Sequence, residues 1–308
     1  MTRHFLRDDD LSPEEQKEVL GLALEFKRNR QYARSLEGPK AVALLFDKPT
    51  LRTQVSFSVG VAELGGYPLL VDGKLAGIGV RESVSDTAKV LGRQVSAIVW
   101  RTFEHSRIEE MAENVDVPVV NALTDSFHPC QVLADLAAVA HVKGGLEALP
   151  GLRLAYVGDG ANNMAQSYLL GGATAGMRVT VVTPEGYLPD GTVVADAREL
   201  AARTGGGVEV VHDPAEVAGA DVVATDTWVS MGTEEEREVR EKAFAGFQVT
   251  EDLMGLASPE AVVLHCLPAY RGKEITEGVL DGPQSIVWEE AEFRLHAQKA
   301  ILTWLVER

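Results

Sequence analysis

Short apolar runs alternate with stretches of helical spacing along the whole chain, and this alternation constrains the fold more than any other feature. Ala41-Val42-Ala43-Leu44-Leu45-Phe46, bounded by Pro39-Lys40 and Asp47-Lys48-Pro49, reads as a buried strand. A helix follows Thr50, its apolar Leu51, Val55, Val59 and Ala62 recurring every three or four positions until Gly65-Gly66 stops it. Tyr67-Pro68-Leu69-Leu70-Val71 is a further strand, and its proline suits an edge or a strand entry because it cannot donate to a central ladder. Residues 85–91 have a helical pattern, 97–100 and 117–120 read as strands, and 128–142 form a long helix rich in Ala, Leu and Val. Breakers fill 143–151. The alternation then resumes, with strands at 152–157, 179–182, 208–211, 221–224 and 261–265, helices at 164–175 and 193–202, and a last helix over 289–308. The charged segment 234–244 reads as a solvated helix. Repeated strand–helix units predict two α/β domains, each a mainly parallel sheet flanked by helices, with ligand-binding residues at the carboxyl ends of the strands.

The chain's 308 residues suffice for two separate cores. A hydrophobic fraction of 45% and a charged fraction of 24% are those of an ordinary globular protein. No apolar run reaches the roughly eighteen residues needed to cross a bilayer, and the N-terminus lacks the apolar core of a secretory signal. A net charge of −17 argues against a nucleic-acid partner, which needs a basic face, but not against a small anion held by local arginines. The only cysteines are Cys130 and Cys266, with no Cys-x-x-Cys pair, so reduced thiols in the cytoplasm are expected and a zinc site is not.

Several motifs fall at the expected strand ends. Thr50-Leu51-Arg52-Thr53 lies between a strand and a helix, where free backbone N–H groups and the macrodipole attract anions and Arg52 adds a guanidinium fork. The same segment taken alone reads equally as a capping Thr with a first-turn Arg. Arg101 ends the strand 97–100. His128-Pro129-Cys130-Gln131 opens a helix with Pro129 at a favourable first position; His128 is suited to donate to a carbonyl oxygen, and Gln131 both accepts and donates. Gly158-Asp159-Gly160-Ala161-Asn162-Asn163 resembles the start of a dinucleotide fingerprint, but Asn163 stands where the third glycine belongs. It reads instead as a tight turn presenting Asn163 to a ligand. Asp226 follows another strand, placed to pair with an ammonium group or to form a turn. His265-Cys266-Leu267-Pro268 ends the last strand, with Cys266 as a nucleophile or as a partner to a substrate amine.

Taken together and in this order, these motifs resemble those of the aspartate/ornithine carbamoyltransferase family over nearly the whole chain. Phe46-Asp47-Lys48-Pro49-Thr50-Leu51-Arg52-Thr53-Gln54-Val55-Ser56-Phe57 is similar to the family's carbamoyl phosphate signature, and His128-Pro129-Cys130-Gln131 to its second shared element. Asp226 with Ser230-Met231-Gly232, and His265-Cys266-Leu267-Pro268, point to the ornithine branch. The resemblance implies that Thr50, Leu51, Arg52, Thr53, Arg101, His128, Gln131 and Arg294 bind carbamoyl phosphate. It implies that Asn163, Asp226, Ser230 and Met231 bind ornithine, and that Cys266 and Leu267 lie where the substrates meet. It further implies a carbamoyl phosphate domain over residues 1–145 with helix 289–308 packed back on it, an ornithine domain over 151–288, two linking helices, and a homotrimer or multiple of trimers. Two departures stand out: Gln54 replaces a usual arginine, and the loop 73–79 lacks a usual glutamine, leaving Lys74 or backbone N–H groups as substitutes.

The activity so implied is transfer of the carbamoyl group of carbamoyl phosphate to the δ-amine of L-ornithine, giving L-citrulline and phosphate in arginine biosynthesis. Arg101, His128 and Thr53 polarise the carbonyl, while Arg52 and Arg294 stabilise the leaving phosphate. That scheme requires no metal, no cofactor and no covalent enzyme intermediate. Its rivals are carbamoyl transfer to putrescine, acetylornithine or aspartate, a dinucleotide-dependent oxidoreductase, and a non-catalytic paralogue.

Overall fold

The computed structural model describes residues 2–229 and 234–308. The chain divides into two compact units, Met1–Ala137 with Glu292–Arg308, and Ala138–Ala291. It passes between them inside two helices, α5 (Pro129–Lys143) and α9 (Val287–Val306).

The first unit holds strands β1 (Ala41–Phe46), β2 (Tyr67–Asp72), β3 (Ala97–Arg101) and β4 (Val119–Leu123), together with helices α1 (Pro13–Arg28), α2 (Arg52–Glu63), α3 (Val84–Leu91) and α4 (His105–Glu113). The strands are parallel in the order β2-β1-β3-β4. β1 and β3 are buried almost end to end because helices cover both sheet faces, which explains their unbroken apolar runs. Pro68 sits in β2, the edge strand, where its missing N–H costs no ladder bond. β4 begins two residues later than the apolar run 117–120 suggests, since Pro118 precedes it and contributes only its carbonyl, to Ile98. Between β3 and β4 the register slips: Trp100 faces Asn121, but Arg101 faces Leu123. This bulge falls at the arginine that ends β3, and bulges re-aim the side chain they carry.

Helix α2 forms where the spacing puts it, but with its apolar stripe outward. Leu51 is 73% exposed and Val55 53%, whereas Thr53, Ser56, Phe57, Gly60 and Val61 are buried. Gly60 allows the close packing, since a Cβ there would meet the Lys299 side chain at 3.1 Å. Helix α1 is announced by a signal that the apolar periodicity does not carry. Ser12 caps it with Pro13 at the first position, and the Glu15 side chain returns to the Ser12 N–H.

The second unit contains β5 (Arg153–Val157), α6 (Asn163–Thr174), β6 (Arg178–Val182), α7 (Gly191–Thr204), β7 (Gly207–Val211), β8 (Val222–Thr225), α8 (Arg237–Phe244) and β9 (Val262–His265). Its parallel sheet runs β7-β6-β5-β8-β9, a doubly wound order that reverses between β5 and β8. One side of the sheet packs Val157, Val182, Val223, Val249, Val263 and Ile275 into a continuous core. The charged segment 234–244 is only partly solvated. Arg240 of α8 tucks inward to pair with buried Asp159, and Phe244 is fully buried against Trp228.

Candidate active site

In the first unit, the expected anion-binding residues gather where the carboxyl ends of β1, β3 and β4 give way to the following segments. Leu51 stands at the cap position of α2, and its side chain makes no cap hydrogen bond. Thr50 is therefore not the helix cap, and the segment presents its first-turn N–H groups with an exposed Arg52 beside them. Thr53, on the first turn, is buried and its hydroxyl receives Arg294 Nη2 at 3.0 Å. The other nitrogen of Arg294, Nη1, donates to Gln131 Oε1 at 2.5 Å, and Gln131 in turn donates to buried Asp135 at 2.7 Å. Residues separated by 241 and 163 positions thus share one hydrogen-bonded cluster.

His128 lies immediately before α5 and is buried, as is Arg101. Burial holds the His128 imidazole well below its usual pKa, and the positive charges of Arg294, Arg101 and Arg52 push it further in the same direction. A neutral ring is what this environment favours, able to donate one N–H to an oxygen without adding another cation. Three arginines are thus brought within electrostatic reach of one buried histidine. Cys130 beside it takes no part: its thiol donates to the Asn121 carbonyl, and burial lifts its pKa to about 12.

In the second unit, Asn163, Asp226 and the Cys266-Leu267 pair follow the carboxyl ends of β5, β8 and β9, the strands around the reversal of order. Asn162 caps α6 by accepting from the Ala165 N–H, and its amide donates to the Tyr156 hydroxyl at 2.7 Å. That leaves Asn163, at the first helical position and only partly buried, as the residue nearer solvent. Asp226 is buried; desolvation raises its pKa, while His265 and the Cys266 thiol oppose the rise. The Cys266 thiol donates to Asp226 Oδ1 at 3.2 Å. His265 Nδ1 accepts from the Leu267 N–H, and Nε2 faces Glu274 at 3.1 Å. These contacts hold Leu267 at φ 55°, a left-handed conformation uncommon for a residue with a branched side chain. Asp226, His265 and Cys266 offer ligand atoms within 4.8 Å of one another, but both ring nitrogens of His265 already serve internal contacts. Ser230 and Met231 lie outside the described residues.

Some members of these clusters are not legible as motifs. Asp135 stands four residues after Gln131 on α5, a helical spacing that would have found it. Tyr156 and Glu274 give no such local signal.

Two family models cover the chain. One, described as the carbamoyl-P binding domain of aspartate/ornithine carbamoyltransferase, matches residues 3–141, and the other, its Asp/Orn binding domain, matches 150–305. The chain belongs to the aspartate/ornithine carbamoyltransferase family. Within this family it is 59% identical to an ornithine carbamoyltransferase of Bifidobacterium longum subsp. infantis over 98% of the chain and 95% of the relative. It is 58% identical to one of Clavibacter sepedonicus over the full length of both. The solved ornithine carbamoyltransferase of Pyrococcus furiosus superposes with a TM-score of 0.93 at 44% identity, covering 98% of this chain and 96% of the other. The arginine-rich cluster lies within the residues matched by the carbamoyl-P binding model or in helix α9, and the cluster around Asp226 lies within those matched by the Asp/Orn binding model. At the loop departing from the family pattern, residues 73–76 form a short helix, and Arg107 Nη2 donates to the Ile78 carbonyl at 2.7 Å. The Lys74 side chain lies outside what is described.

Proposed function

We infer that the protein transfers the carbamoyl group of carbamoyl phosphate to the δ-amine of L-ornithine, yielding L-citrulline and phosphate. The observation that carries this reading is the convergence of Arg52, Arg101 and Arg294 on a neutral, buried His128. The first unit is the carbamoyl phosphate domain. Its phosphate rests on the N-terminus of α2, with Thr50 to Thr53, Arg101 and Arg294 as donors, and Gln131 orients Arg294 while reaching the carbamoyl group.

The second unit is the ornithine domain. Asp226 takes the α-ammonium group, Asn163 with Ser230 and Met231 completes the amino-acid pocket, and Cys266 and Leu267 meet the reacting amine. The raised pKa of Asp226 supports this role, because a buried, poorly solvated carboxylate gains most from an incoming ammonium.

In the reaction, the δ-nitrogen lone pair attacks the carbamoyl carbon after its extra proton is lost. The carbonyl becomes a tetrahedral oxyanion, which His128, Arg101 and Thr53 receive. The bond between the carbamoyl carbon and the bridging oxygen then breaks as the carbonyl re-forms. That oxygen leaves with the phosphate, which takes up the second proton of the attacking nitrogen, and Arg52, Arg294 and the helix N-terminus stabilise the departing group. Orientation of two bound substrates contributes on the order of 7–11 kcal/mol at most.

A homotrimer is part of the same proposal. The outward Leu51 and Val55 of α2, and Tyr67 and Leu70 on the edge strand β2, form apolar surface of the kind that a subunit contact covers. No described helix is long and apolar enough to cross a membrane, and the cytoplasm is the proposed location. The test is colorimetric detection of the ureido product, citrulline in the case of ornithine, formed from carbamoyl phosphate with ornithine, putrescine, acetylornithine or aspartate offered separately. Ornithine should be used far faster than the rest; preferential use of putrescine or acetylornithine would remove Asp226 from its role.

A further inference from the structure

We propose that Asp47 is a positioning residue for carbamoyl phosphate, acting by fixing the aim of Arg101. The inference rests on the reading of Arg101 as a ligand of that substrate. Arg101 sits at the bulge that ends β3, where the register to β4 slips while the pairing of Arg101 with Phe46 of β1 stays regular. Asp47 bonds to the backbone of this residue and to the side chains on either side of it. Its backbone N–H donates to the Arg101 carbonyl at 2.9 Å. Its carboxylate Oδ2 accepts from the indole Nε1 of Trp100 at 3.1 Å and from the hydroxyl of Thr102 at 2.6 Å, the residues immediately before and after Arg101. All four residues are buried, so these bonds are shielded from competing water.

The same carboxylate reaches a second structure. Arg107 Nη1 stands 3.5 Å from Oδ2, its guanidinium lies over the Trp100 ring, and its other nitrogen holds the Ile78 carbonyl. On the opposite side, Oδ1 packs against Gly73, where a Cβ would fall 1.8 Å away. Asp47 therefore ties the Arg101 bulge to both ends of the loop in which this chain lacks the family's glutamine. A carboxylate that served only the core would not need to grip both neighbours of one bulged arginine.

The test is a double-mutant cycle read by calorimetry of carbamoyl phosphate, with kcat and the KM for ornithine measured on each soluble variant. Asp47→Ala should weaken carbamoyl phosphate binding roughly 10–100-fold, the scale of a misplaced binding group, and leave the KM for ornithine within about twofold. In an Arg101→Ala background the same substitution should produce no further loss, because its effect passes through a side chain no longer present. Losses that multiply in that background, or wild-type binding by Asp47→Ala, would overturn the proposal. Should Asp47→Ala not fold, Thr102→Val removes one of the two gripping bonds with little change of shape, and the same criteria decide. Wild-type binding by Arg101→Ala alone would instead refute the underlying assignment of Arg101.

Discussion

Arg294 donates to the Thr53 hydroxyl across 3.0 Å, joining the last helix of the chain to the first turn of α2. Its second donor nitrogen is spent on Gln131, so the planar fork is fixed before any ligand arrives. Lysine offers a compact point charge without the planar fork that spans the two acceptors. Arg294→Lys should therefore raise the KM for carbamoyl phosphate by the equivalent of about 1.5–3 kcal/mol, the value of hydrogen bonds to a charged group. Steady-state kinetics at saturating ornithine check this, and an unchanged KM would show that the fork serves packing only.

Asp226→Asn keeps the size of the side chain and removes its charge. Binding of norvaline, which carries the α-amino group but no δ-amine, should weaken by at least tenfold in the presence of saturating carbamoyl phosphate, about 1.4 kcal/mol or more. Carbamoyl phosphate alone should bind as before. Unchanged norvaline affinity by calorimetry would make Asp226 a partner of the δ-amine or a turn residue.

Much of this architecture is legible in the sequence, and the failures have identifiable causes. The runs Ala41–Phe46 and Ala97–Arg101 declare themselves because strands of a covered parallel sheet are apolar on both faces. The strand-end residues follow from the same logic, since Arg101, His128, Asp226 and Cys266 each come directly or a few residues after such a run. The burial of α2 is not legible: Leu51, Val55 and Val59 look like a core stripe and face outward, while Thr53 and Ser56 face in. The contact with Arg294, distant in the chain, accounts for an inward Thr53. Asp47 is hidden because a lone Asp after a strand reads as a turn former until its partners are seen, and Glu274 because its contact with His265 has no local spacing signal.

Cys266→Ala should impair ornithine use more than carbamoyl phosphate binding, because the thiol is engaged with Asp226 rather than with the arginine cluster. Incubating the unaltered protein with carbamoyl phosphate alone should give no mass increase at the Cys266 peptide. A carbamoylated Cys266 in the mass spectrum would replace direct attack by a covalent route.

Acid should destabilise the protein in part through His128. Its pKa is depressed in the folded state relative to the ordinary 6.5, so below about pH 6.5 the unfolded chain takes up a proton that the folded chain refuses. The stabilising contribution is complete above that pH and is lost as pH falls towards the depressed folded value. His128→Asn should flatten the fall in stability between pH 7.5 and 5.5 by up to about 1.4 kcal/mol per pH unit. Denaturant unfolding at both pH values measures it, and identical slopes for the two proteins would mean that His128 is not the source.

The most direct test of the account is calorimetric binding of carbamoyl phosphate, without ornithine, to the wild-type protein and to Arg101→Ala. The arginines converging on His128 should give the wild type a measurable binary complex, and loss of one charge-assisted contact should weaken it roughly 10–150-fold with little change in Tm. Equal affinity in the two proteins at equal thermal stability would contradict the assignment of this cluster as the carbamoyl phosphate site.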